Sequence, residues 1–288
     1  MNLAAVVVLY QPSMDVVAGV QSYAPQVKKI FAVDNSELLD PTIVHALAQI
    51  PNLQLIANQG NQGIAHALNR GIALAQECGC EFVLTMDQDS AFHCEDFSLY
   101  QNSAQQLFLT HESAAIVAPD DTPFLGQMPP QASTCEFVPA RLVVTSGNIV
   151  RIAYWHAVAG FSERLFIDEV DHDFCLRLLS AGYSIFKASH LHFIHAMGTQ
   201  RIVHWLRWHT LVSEHSALRY YYITRNSLFV YTHYATEFPE LCKDRIIKIL
   251  RYKFLLMLMF ERNRMAKLAM ILRGVFDFMR GRYGKFVR

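Results

Sequence analysis

The sequence lacks a cysteine framework, a long uncharged apolar run and an excess of charge of either sign. Its six cysteines are scattered over 288 residues, which predicts reduced thiols and a cytosolic protein. No apolar stretch approaches the roughly 18 uncharged residues that a membrane span needs. Residues 1–10 are apolar but lack a basic n-region and an evident cleavage site, so a first strand is favoured over a signal peptide. No low-complexity segment or internal repeat is evident.

The net charge of zero conceals an asymmetry along the chain. Residues 1–242 contain 12 Lys and Arg against 22 Asp and Glu, whereas residues 243–288 contain 13 against 3, so the formal charges are −10 and +10. Apolar groups in the basic part, including the run 254–260, predict a basic amphipathic helix that lies in an anionic membrane interface. A helical cap and a homo-oligomer contact are the alternatives. Nucleic acid is a poorer partner, because phosphates would repel the acidic remainder.

The first ninety residues alternate strand-like and helix-like segments. Apolar runs at 3–10, 30–33, 53–57 and 82–86 predict strands buried on both sides, and the apolar spacing of 64–75 predicts a helix. Strands separated by helices predict a parallel sheet with helices on both faces. Because ligands of such sheets bind beyond the carboxyl ends of the strands, this edge is the expected site.

Two carboxylates directly follow the apolar run of the fourth strand. Asp87 and Asp89 are two residues apart, so both can turn toward one hard cation. Mg²⁺ or Mn²⁺ held by one or two carboxylates usually completes its shell with substrate phosphates. The pair indicates a metal bridge to a phosphorylated substrate, and ordinary polar turn residues at a strand end are the alternative.

Several short motifs follow one another along the chain. The first are Tyr10-x-Pro12, Val33-Asp-Asn-Ser36, Asn61-x-Gly-Ile-Ala-x-Ala-Leu-Asn-x-Gly71 and Leu84-Thr-Met-Asp-Gln-Asp-Ser90. Further motifs are Thr145-Ser-Gly147, Gly160-Phe161, residues 165–173 with Arg177, His195-x-x-Gly198 and residues 219–226. This ordered set resembles the GT-A glycosyltransferases of family 2, and within them the bacterial rhamnosyltransferases of cell-surface polysaccharide assembly. This resemblance implies an α/β GT-A fold, Rossmann-like with a mostly parallel central sheet and flanking helices, over residues 1–205. A helical, basic C-terminal extension over residues 206–288 would follow.

The resemblance implies a site for a nucleotide-sugar donor. Asp34 resembles the aspartate that accepts a hydrogen bond from a pyrimidine base, and a turn or cap aspartate is the alternative. Asn61 and Gly63 would let the backbone approach the donor closely, although Asn and Gly are also common in turns. The other residues implied to bind substrate are Tyr10, Asn69, Asp87, Ser146, Gly147, Asp173, Arg177 and Arg225.

The resemblance also implies a metal site. Asp87, Asp89 and His195 would hold Mg²⁺ or Mn²⁺, which acts as a Lewis acid on the leaving nucleoside diphosphate. A structural or surface role for His195 is one alternative. A zinc site formed by His190, His192 and His195 is another, but no Cys-x-x-Cys partner accompanies them.

Asp171 falls at the position of the family's catalytic base. It would take the proton from the acceptor hydroxyl as that oxygen attacks the anomeric carbon, which inverts the anomeric centre. It lies in an acidic run, 168–173, that is otherwise typical of a solvated helix start. Asp173 is the less favoured base, because Asp173 and Arg177 are spaced for an ion pair on one helix face.

The expected function is inverting transfer of a sugar to a lipid-linked glycan of O-antigen or another surface polysaccharide. L-Rhamnose from dTDP-L-rhamnose is the favoured donor, and the expected location is cytoplasmic, peripheral on the inner face of the cell membrane. One alternative is a family 2 transferase that uses another UDP- or dTDP-sugar. The other is a nucleotide-sugar-binding or membrane scaffold protein without turnover, which would need no general base.

Overall fold

The structure is a computed structural model that describes residues 1–120, 135–192, 194–195, 200–205 and 208–287, with side chains described except at 94–95, 190, 192–213 and 250–252. The chain forms two compact units. One comprises Met1–Phe166 with Val170–Ala196, and the other comprises Ile167–Glu169 with Met197–Arg288. In the described part of the chain, no helix is both long and apolar enough to cross a membrane.

The first unit is built on a mixed sheet. The strands of this unit are β1 (Leu3–Leu9), β2 (Lys29–Asp34), β3 (Leu53–Ala57), β4 (Phe82–Asp87), β5 (Ser90–Ala91), β6 (Ala114–Asp120), β7 (Glu136–Ala140), β8 (Asn148–Arg151), β9 (Ser184–His192) and β10 (Ile194–His195). Eight of them form one sheet in the order β3-β2-β1-β4-β8-β6-β9-β7. Pairing is parallel among β3, β2, β1 and β4 and between β6 and β9, whereas β8 and β7 run antiparallel to their neighbours. The predicted mostly parallel sheet is confirmed.

In the described part of the first unit, six α-helices flank the sheet. They are α1 (Asp15–Gln21), α2 (Pro41–Ala48), α3 (Ile64–Glu77), α4 (Cys94–Thr110), α5 (Ile152–Ala157) and α6 (Val170–Ser180). At the start of α2, the Asp40 carboxylate accepts a hydrogen bond from the Thr42 amide at 2.8 Å, and Pro41 needs no partner there. Helix α3 packs closely on the sheet, since a Cβ at Gly71 would lie 2.5 Å from a Val6 methyl group.

The strands and the helix predicted from the first ninety residues are confirmed, with ends that differ by at most two residues. The expectation of burial on both sides is wrong for β3, where Gln54 and Ala57 are exposed. The reason is that β3 is an edge strand, so only part of its surface is covered.

The second unit is mainly helical. It contains α7 (Ala217–His233), α8 (Pro239–Lys248), a π-helical turn (Ile249–Phe254), α9 (Leu255–Phe260) and α10 (Arg264–Met279), with a hairpin of β11 (Gln200–Trp205) and β12 (Trp208–Ser213). Helix α10 packs on α7, where a Cβ at Gly274 would lie 2.8 Å from the Tyr221 carbonyl oxygen. Inside the unit, the Glu261 carboxylate accepts from Lys267 at 2.7 Å and from the Tyr220 hydroxyl at 2.5 Å. The predicted helical C-terminal region is confirmed, but the basic stretch forms several helices instead of one, because Asn263 (φ +54°) turns the chain before α10.

Candidate active site

The carboxyl ends of β1, β2 and β4 are fastened to one another by side chains. The Gln88 carboxamide accepts a hydrogen bond from the Tyr10 amide at 2.7 Å and donates one to the Tyr10 carbonyl at 3.1 Å. The Ser36 hydroxyl accepts from the Gln11 amide at 2.8 Å. Tyr10 itself is exposed at this edge. The strand ends therefore form a fixed platform at the edge where the sequence predicts the site.

Asp34 ends β2 and is buried, with 5% of its surface exposed. Its Oδ1 accepts a hydrogen bond from the Ser36 amide at 2.9 Å, which is the turn geometry that the sequence left open as an alternative. This bond fixes the direction of the carboxylate at the strand end. Recognition of a base by Asp34 stays a prediction.

The segment 58–63 is tied to the end of β2. The Asn61 side chain accepts from the Gly63 amide at 3.0 Å, and the Asn35 side chain donates to the Gly63 carbonyl at 3.0 Å. Gly63 has φ +92°, and a Cβ there would lie 2.7 Å from the Phe166 carbonyl oxygen. Both the backbone conformation and the close approach require glycine. The same Phe166 oxygen accepts a hydrogen bond from the Ile64 amide at 2.8 Å.

Asp87 is the last residue of β4 and Asp89 follows it in a turn, which is hydrogen-bonded to the segment 146–147. The Ser146 hydroxyl accepts from the Asp87 amide at 3.0 Å and donates to the Ser90 hydroxyl at 2.9 Å. The Gly147 amide donates to the Thr85 carbonyl at 2.7 Å, so this segment holds both ends of the turn. Asp87 is half-buried and Asp89 is exposed. In the structure, Ser146 and Gly147 thus support the backbone of the Asp87–Asp89 turn.

Strand pairing brings a distant part of the chain to this turn. Strand β10 pairs antiparallel with β5, and His195 stands opposite Ser90, the residue after Asp89. The side chain of His195 lies outside the described residues, as do those of His190 and His192 and the whole of Gly198. Among the described side chains, no group of three or more His, Cys, Asp or Glu residues forms a metal centre. The carboxylate oxygens of Asp87 and Asp89 are ligands of the kind that Mg²⁺ and Mn²⁺ take.

Helix α6 presents Asp171 and Asp173 differently. Asp171 lies in the first turn, is half-buried, and accepts a hydrogen bond from the His172 amide at 2.9 Å. Asp173 is 3% exposed, and its Oδ2 accepts from Arg177 Nε at 2.9 Å. Arg177 also donates to the Val158 carbonyl at 2.6 Å. The ion pair expected between Asp173 and Arg177 is confirmed, and Asp171 is the more accessible carboxylate.

Two residues that the resemblance assigns to substrate make extensive hydrogen bonds to protein groups. The Asn69 carboxamide bonds to Trp155, to the backbone of Phe161 and to Glu163. Arg225, in the second unit, is 1% exposed and donates to the Gly284 carbonyl at 2.9 Å. A substrate contact by either residue stays a prediction.

The segment Ile167–Glu169 is strained and is held by α7 within the second unit. Asp168 and Glu169 have φ values of +62° and +63°, a region that residues with a Cβ rarely occupy. Arg219 donates to Asp168 at 3.2 Å, and Tyr231 donates to Glu169 at 2.6 Å. Burial raises the pKa of the Asp168 carboxyl above its ordinary value, although the positive charges of Arg219 and Lys253 oppose this shift. Such strain is maintained only by surrounding bonds and is typical of functional segments.

Sequence reasoning missed several residues of the site. Gln88 had a usable signal, since it stands between the two aspartates at a strand end, but the sequence does not reveal that it bonds to Tyr10. Phe166 falls within the motif 165–173, but that motif does not reveal its bond to Ile64, and Glu163 had no signal. Both roles depend on contacts with α3, about a hundred residues earlier in the chain.

The chain is similar to known glycosyltransferases. Residues 15–148 match the model of glycosyl transferase family 2. The chain is 27% identical over 253 residues to the dTDP-rhamnosyl transferase RfbF of Shigella flexneri, with 80% of this chain and 79% of that protein covered.

The chain also resembles solved structures of S. aureus TarS. The TM-score is 0.59 at 15% identity for TarS 1–349, with 98% of this chain and 81% of that one covered. For TarS 1–349 in complex with UDP it is 0.56 at 13% identity, with 100% and 94% covered. The chain spans 49% of a longer TarS chain, at 16% identity and a TM-score of 0.57 over 97% of this chain. At these identities the likeness concerns the fold, and the GT-A fold predicted from the sequence is confirmed.

Proposed function

We propose that the chain, whose residues 15–148 match the model of glycosyl transferase family 2, is an inverting transferase. It would move L-rhamnose from dTDP-L-rhamnose to a lipid-linked glycan acceptor. The donor is taken from the dTDP-rhamnosyl transferase with which the chain shares 27% identity. The acceptor would belong to O-antigen or another cell-surface polysaccharide. A family 2 transferase that uses another UDP- or dTDP-sugar is the second candidate, because a pyrimidine-binding Asp34 would accept either nucleotide.

The observation that carries this proposal is the pairing of β10 with β5. It brings the backbone of His195 beside the turn of Asp87 and Asp89, although more than a hundred residues separate them in the chain. Asp34 ends β2, which belongs to the same eight-stranded sheet as β4, and it lies at the same edge of that sheet as Asp87. One edge therefore combines a carboxylate for the base with carboxylates for a cation on the diphosphate, which is what a nucleotide-sugar donor requires.

A divalent cation fits the donor atoms at this edge. Asp87 and Asp89 supply hard oxygen ligands, and His195 is proposed as the third ligand. When bound, Mg²⁺ or Mn²⁺ would neutralise charge on the departing nucleoside diphosphate.

Asp171 is the proposed general base. Its carboxylate takes the proton from the acceptor hydroxyl while the acceptor oxygen forms a bond to the anomeric carbon. The bond between that carbon and the phosphate oxygen breaks, and dTDP leaves with the electron pair. Because attack and departure occur on opposite faces, the anomeric configuration inverts. Half-burial of Asp171 is consistent with this task, since the acceptor must reach the carboxylate.

Helix α10 supports the proposal of a membrane-facing second unit. One face of this helix is buried and carries Lys267 and Asp277, both hydrogen-bonded inside the unit. The opposite face exposes Met265, Leu272 and Met279, of which 78%, 70% and 70% is accessible. Residues seven apart lie on one side of a helix, so these three side chains form an apolar stripe toward solvent.

Cationic side chains adjoin this apolar stripe, since Arg264, Arg273 and Arg280 stand next to its three members in the sequence and are exposed. Other exposed cationic side chains of the second unit are Arg219, Lys243, Lys248, Arg262, Arg282 and Lys285. An apolar stripe flanked by Arg and Lys fits the interface of an anionic bilayer better than it fits water. We propose peripheral binding to the inner face of the cell membrane, where a lipid-linked acceptor is located. A second copy of this chain is the competing occupant.

Purified protein incubated with a panel of nucleotide sugars and a lipid-linked acceptor tests the proposal. Transfer from dTDP-L-rhamnose in preference to UDP- and GDP-sugars is expected, together with tighter calorimetric binding of dTDP than of GDP. Preferred transfer from another UDP- or dTDP-sugar would favour the second candidate. Binding without turnover of any donor would favour a scaffold, and tighter binding of GDP would refute the role given to Asp34.

A further inference from the structure

The side chain of Asn69 on α3 clamps the loop 159–166. Its Nδ2 donates to the Phe161 carbonyl at 2.9 Å, and its Oδ1 accepts from the Phe161 amide at 2.8 Å, so it pairs with the backbone at two points. Nδ2 also donates to Glu163 at 3.0 Å, and Oδ1 accepts from the Trp155 indole at 3.2 Å. An Asn carboxamide has two N–H donors and two acceptor sites, so all four are used.

Neighbouring contacts strengthen this clamp. One turn earlier on α3, His66 Nδ1 lies 3.0 Å from the second oxygen of Glu163. Burial raises the pKa of Glu163, but the hydrogen bonds from Asn69 and His66 together lower it by more. The pKa of Glu163 therefore lies below its ordinary value. The turn before Phe161 is shaped around the clamp, because Gly160 has φ +68° and a Cβ there would lie 2.7 Å from Asn69 Oδ1.

The clamped loop is packed against the helix that carries the proposed base. The rings of Phe161 and Phe174 lie 4.2 Å apart between centroids, and both side chains are buried. Phe174 is three residues after Asp171 on α6, so the two share one side of the helix. Arg177 adds a second link by donating to the Val158 carbonyl at 2.6 Å.

We propose that Asn69 is a positioning residue that couples the donor side of the site to the general base, and that it does not contact substrate. Helix α3 begins directly after the segment 58–63, which is proposed to bind the donor. Asn69 on this helix fixes the position of Phe161, Phe161 packs on Phe174, and Phe174 lies on the same helix as Asp171. This inference rests on the proposed function for its catalytic part, whereas the mechanical coupling does not depend on it.

Hydrogen–deuterium exchange on Asn69→Ala tests the coupling without reference to activity. We expect faster exchange at Phe161, at Phe166 and in the first turn of α6, because the four hydrogen bonds of the clamp are lost. Gln76→Ala is the matched control, since it removes an exposed carboxamide from the same helix. Should the Ala variant fail to fold, Asn69→Asp keeps the shape of the side chain, removes the two N–H donors and places a negative charge beside Glu163. Unchanged exchange in α6 would overturn the proposal.

A double-mutant cycle with Asp171→Asn tests the catalytic part. In the wild-type background, Asn69→Ala should lower kcat by about 10- to 100-fold, since a misplacement of about 1 Å can cost 10²-fold. Calorimetric affinity for dTDP should not change. In the Asp171→Asn background, the same substitution should cost no further activity, because it acts through the base that is already lost.

The outcomes separate this inference from the proposed function. Equal losses in both backgrounds, or weaker dTDP binding, would overturn the positioning role in favour of a general structural role or substrate contact. If the wild-type chain transfers no sugar at all, the proposed function fails. Hydrogen exchange alone then tests the coupling. Faster exchange in the loop 159–166 with unchanged exchange in the first turn of α6 would overturn it.

Discussion

Replacing Asp171 and Asp173 by Asn, one at a time, separates a proton acceptor from a structural carboxylate. Asn preserves the shape of each side chain and removes its charge. Asp171 is half-buried in the first turn of α6, whereas Asp173 is 3% exposed and bonded to Arg177 at 2.9 Å. The two variants should therefore fail in different assays.

The expected losses differ in kind and in size. Asp171→Asn should lower kcat by about 10²–10⁴-fold, the usual contribution of a general base. This equals about 2.7–5.4 kcal/mol in activation free energy. Its free energy of unfolding should fall by no more than about 1 kcal/mol, the usual contribution of a carboxylate in the first turn of a helix. Asp173→Asn should instead lower the free energy of unfolding by about 1–3 kcal/mol, because it weakens a largely buried charged hydrogen bond.

Three measurements on each variant distinguish these results. Single-turnover transfer reports the chemical step, calorimetry with dTDP reports donor binding, and urea unfolding reports stability. Donor binding should survive in both variants, because Asp171 serves the acceptor in the proposed arrangement and Asp173 is bonded to Arg177. A silent Asp171→Asn together with a stable but inactive Asp173→Asn would show that the wrong carboxylate has been assigned as the base.

Three further predictions concern the cation, the membrane and pH. EDTA should abolish transfer and Mg²⁺ or Mn²⁺ should restore it, while Asp89→Asn should lose most turnover and stay folded. The chain should co-sediment with anionic vesicles at low salt, and the double variant Leu272→Ser, Met279→Ser should bind less without loss of the free energy of unfolding. Burial, with the nearby charges of Lys253 and Arg219, lowers the pKa of His215 to about 4. Between pH about 6.5 and 4, the unfolded chain therefore binds a proton at His215 that the folded chain does not. The free energy of unfolding should fall as the pH falls through this range, and it should fall less steeply in His215→Gln.

Each of these predictions has a result that would contradict it. Full transfer activity after exhaustive chelation would exclude a requirement for the divalent cation. Vesicle binding that is unaffected by the double variant, or concentration-dependent dimerisation that the variant abolishes, would assign the α10 stripe to another role. His45→Gln is the matched control for pH, because His45 is exposed. If the free energy of unfolding of His215→Gln changes with pH as steeply as that of the wild type, His215 does not contribute to the pH dependence.

Several features of the fold and site were predictable because they depend on residues near one another in the chain. Apolar runs and their polar ends located β1 to β4 and α3 closely, since strand and helix periodicities are local. The spacing of Asp173 and Arg177 was sufficient to predict their ion pair on α6.

The surface of the second unit was predictable only in part. Composition indicated a basic, apolar helical region, but not which apolar groups face solvent. Within the run 254–260, Met257 is fully buried while Leu255 and Leu258 are exposed. Besides Val287, the most exposed large apolar side chains described in this unit lie on α10, because α7 covers its other face and binds the polar residues there.

The sequence by itself determined the order of secondary structure, the edge of the sheet that carries the polar groups and the division of charge along the chain. Only the tertiary structure decided that β10 pairs with β5 beside the two aspartates, that Gln88 bonds to Tyr10, and that Asn69 clamps Phe161. The physical reason is that periodicity and charge are properties of neighbouring residues. A hydrogen bond between residues about 80 to 100 positions apart forms only when the packing of the whole sheet brings them within 3 Å of each other.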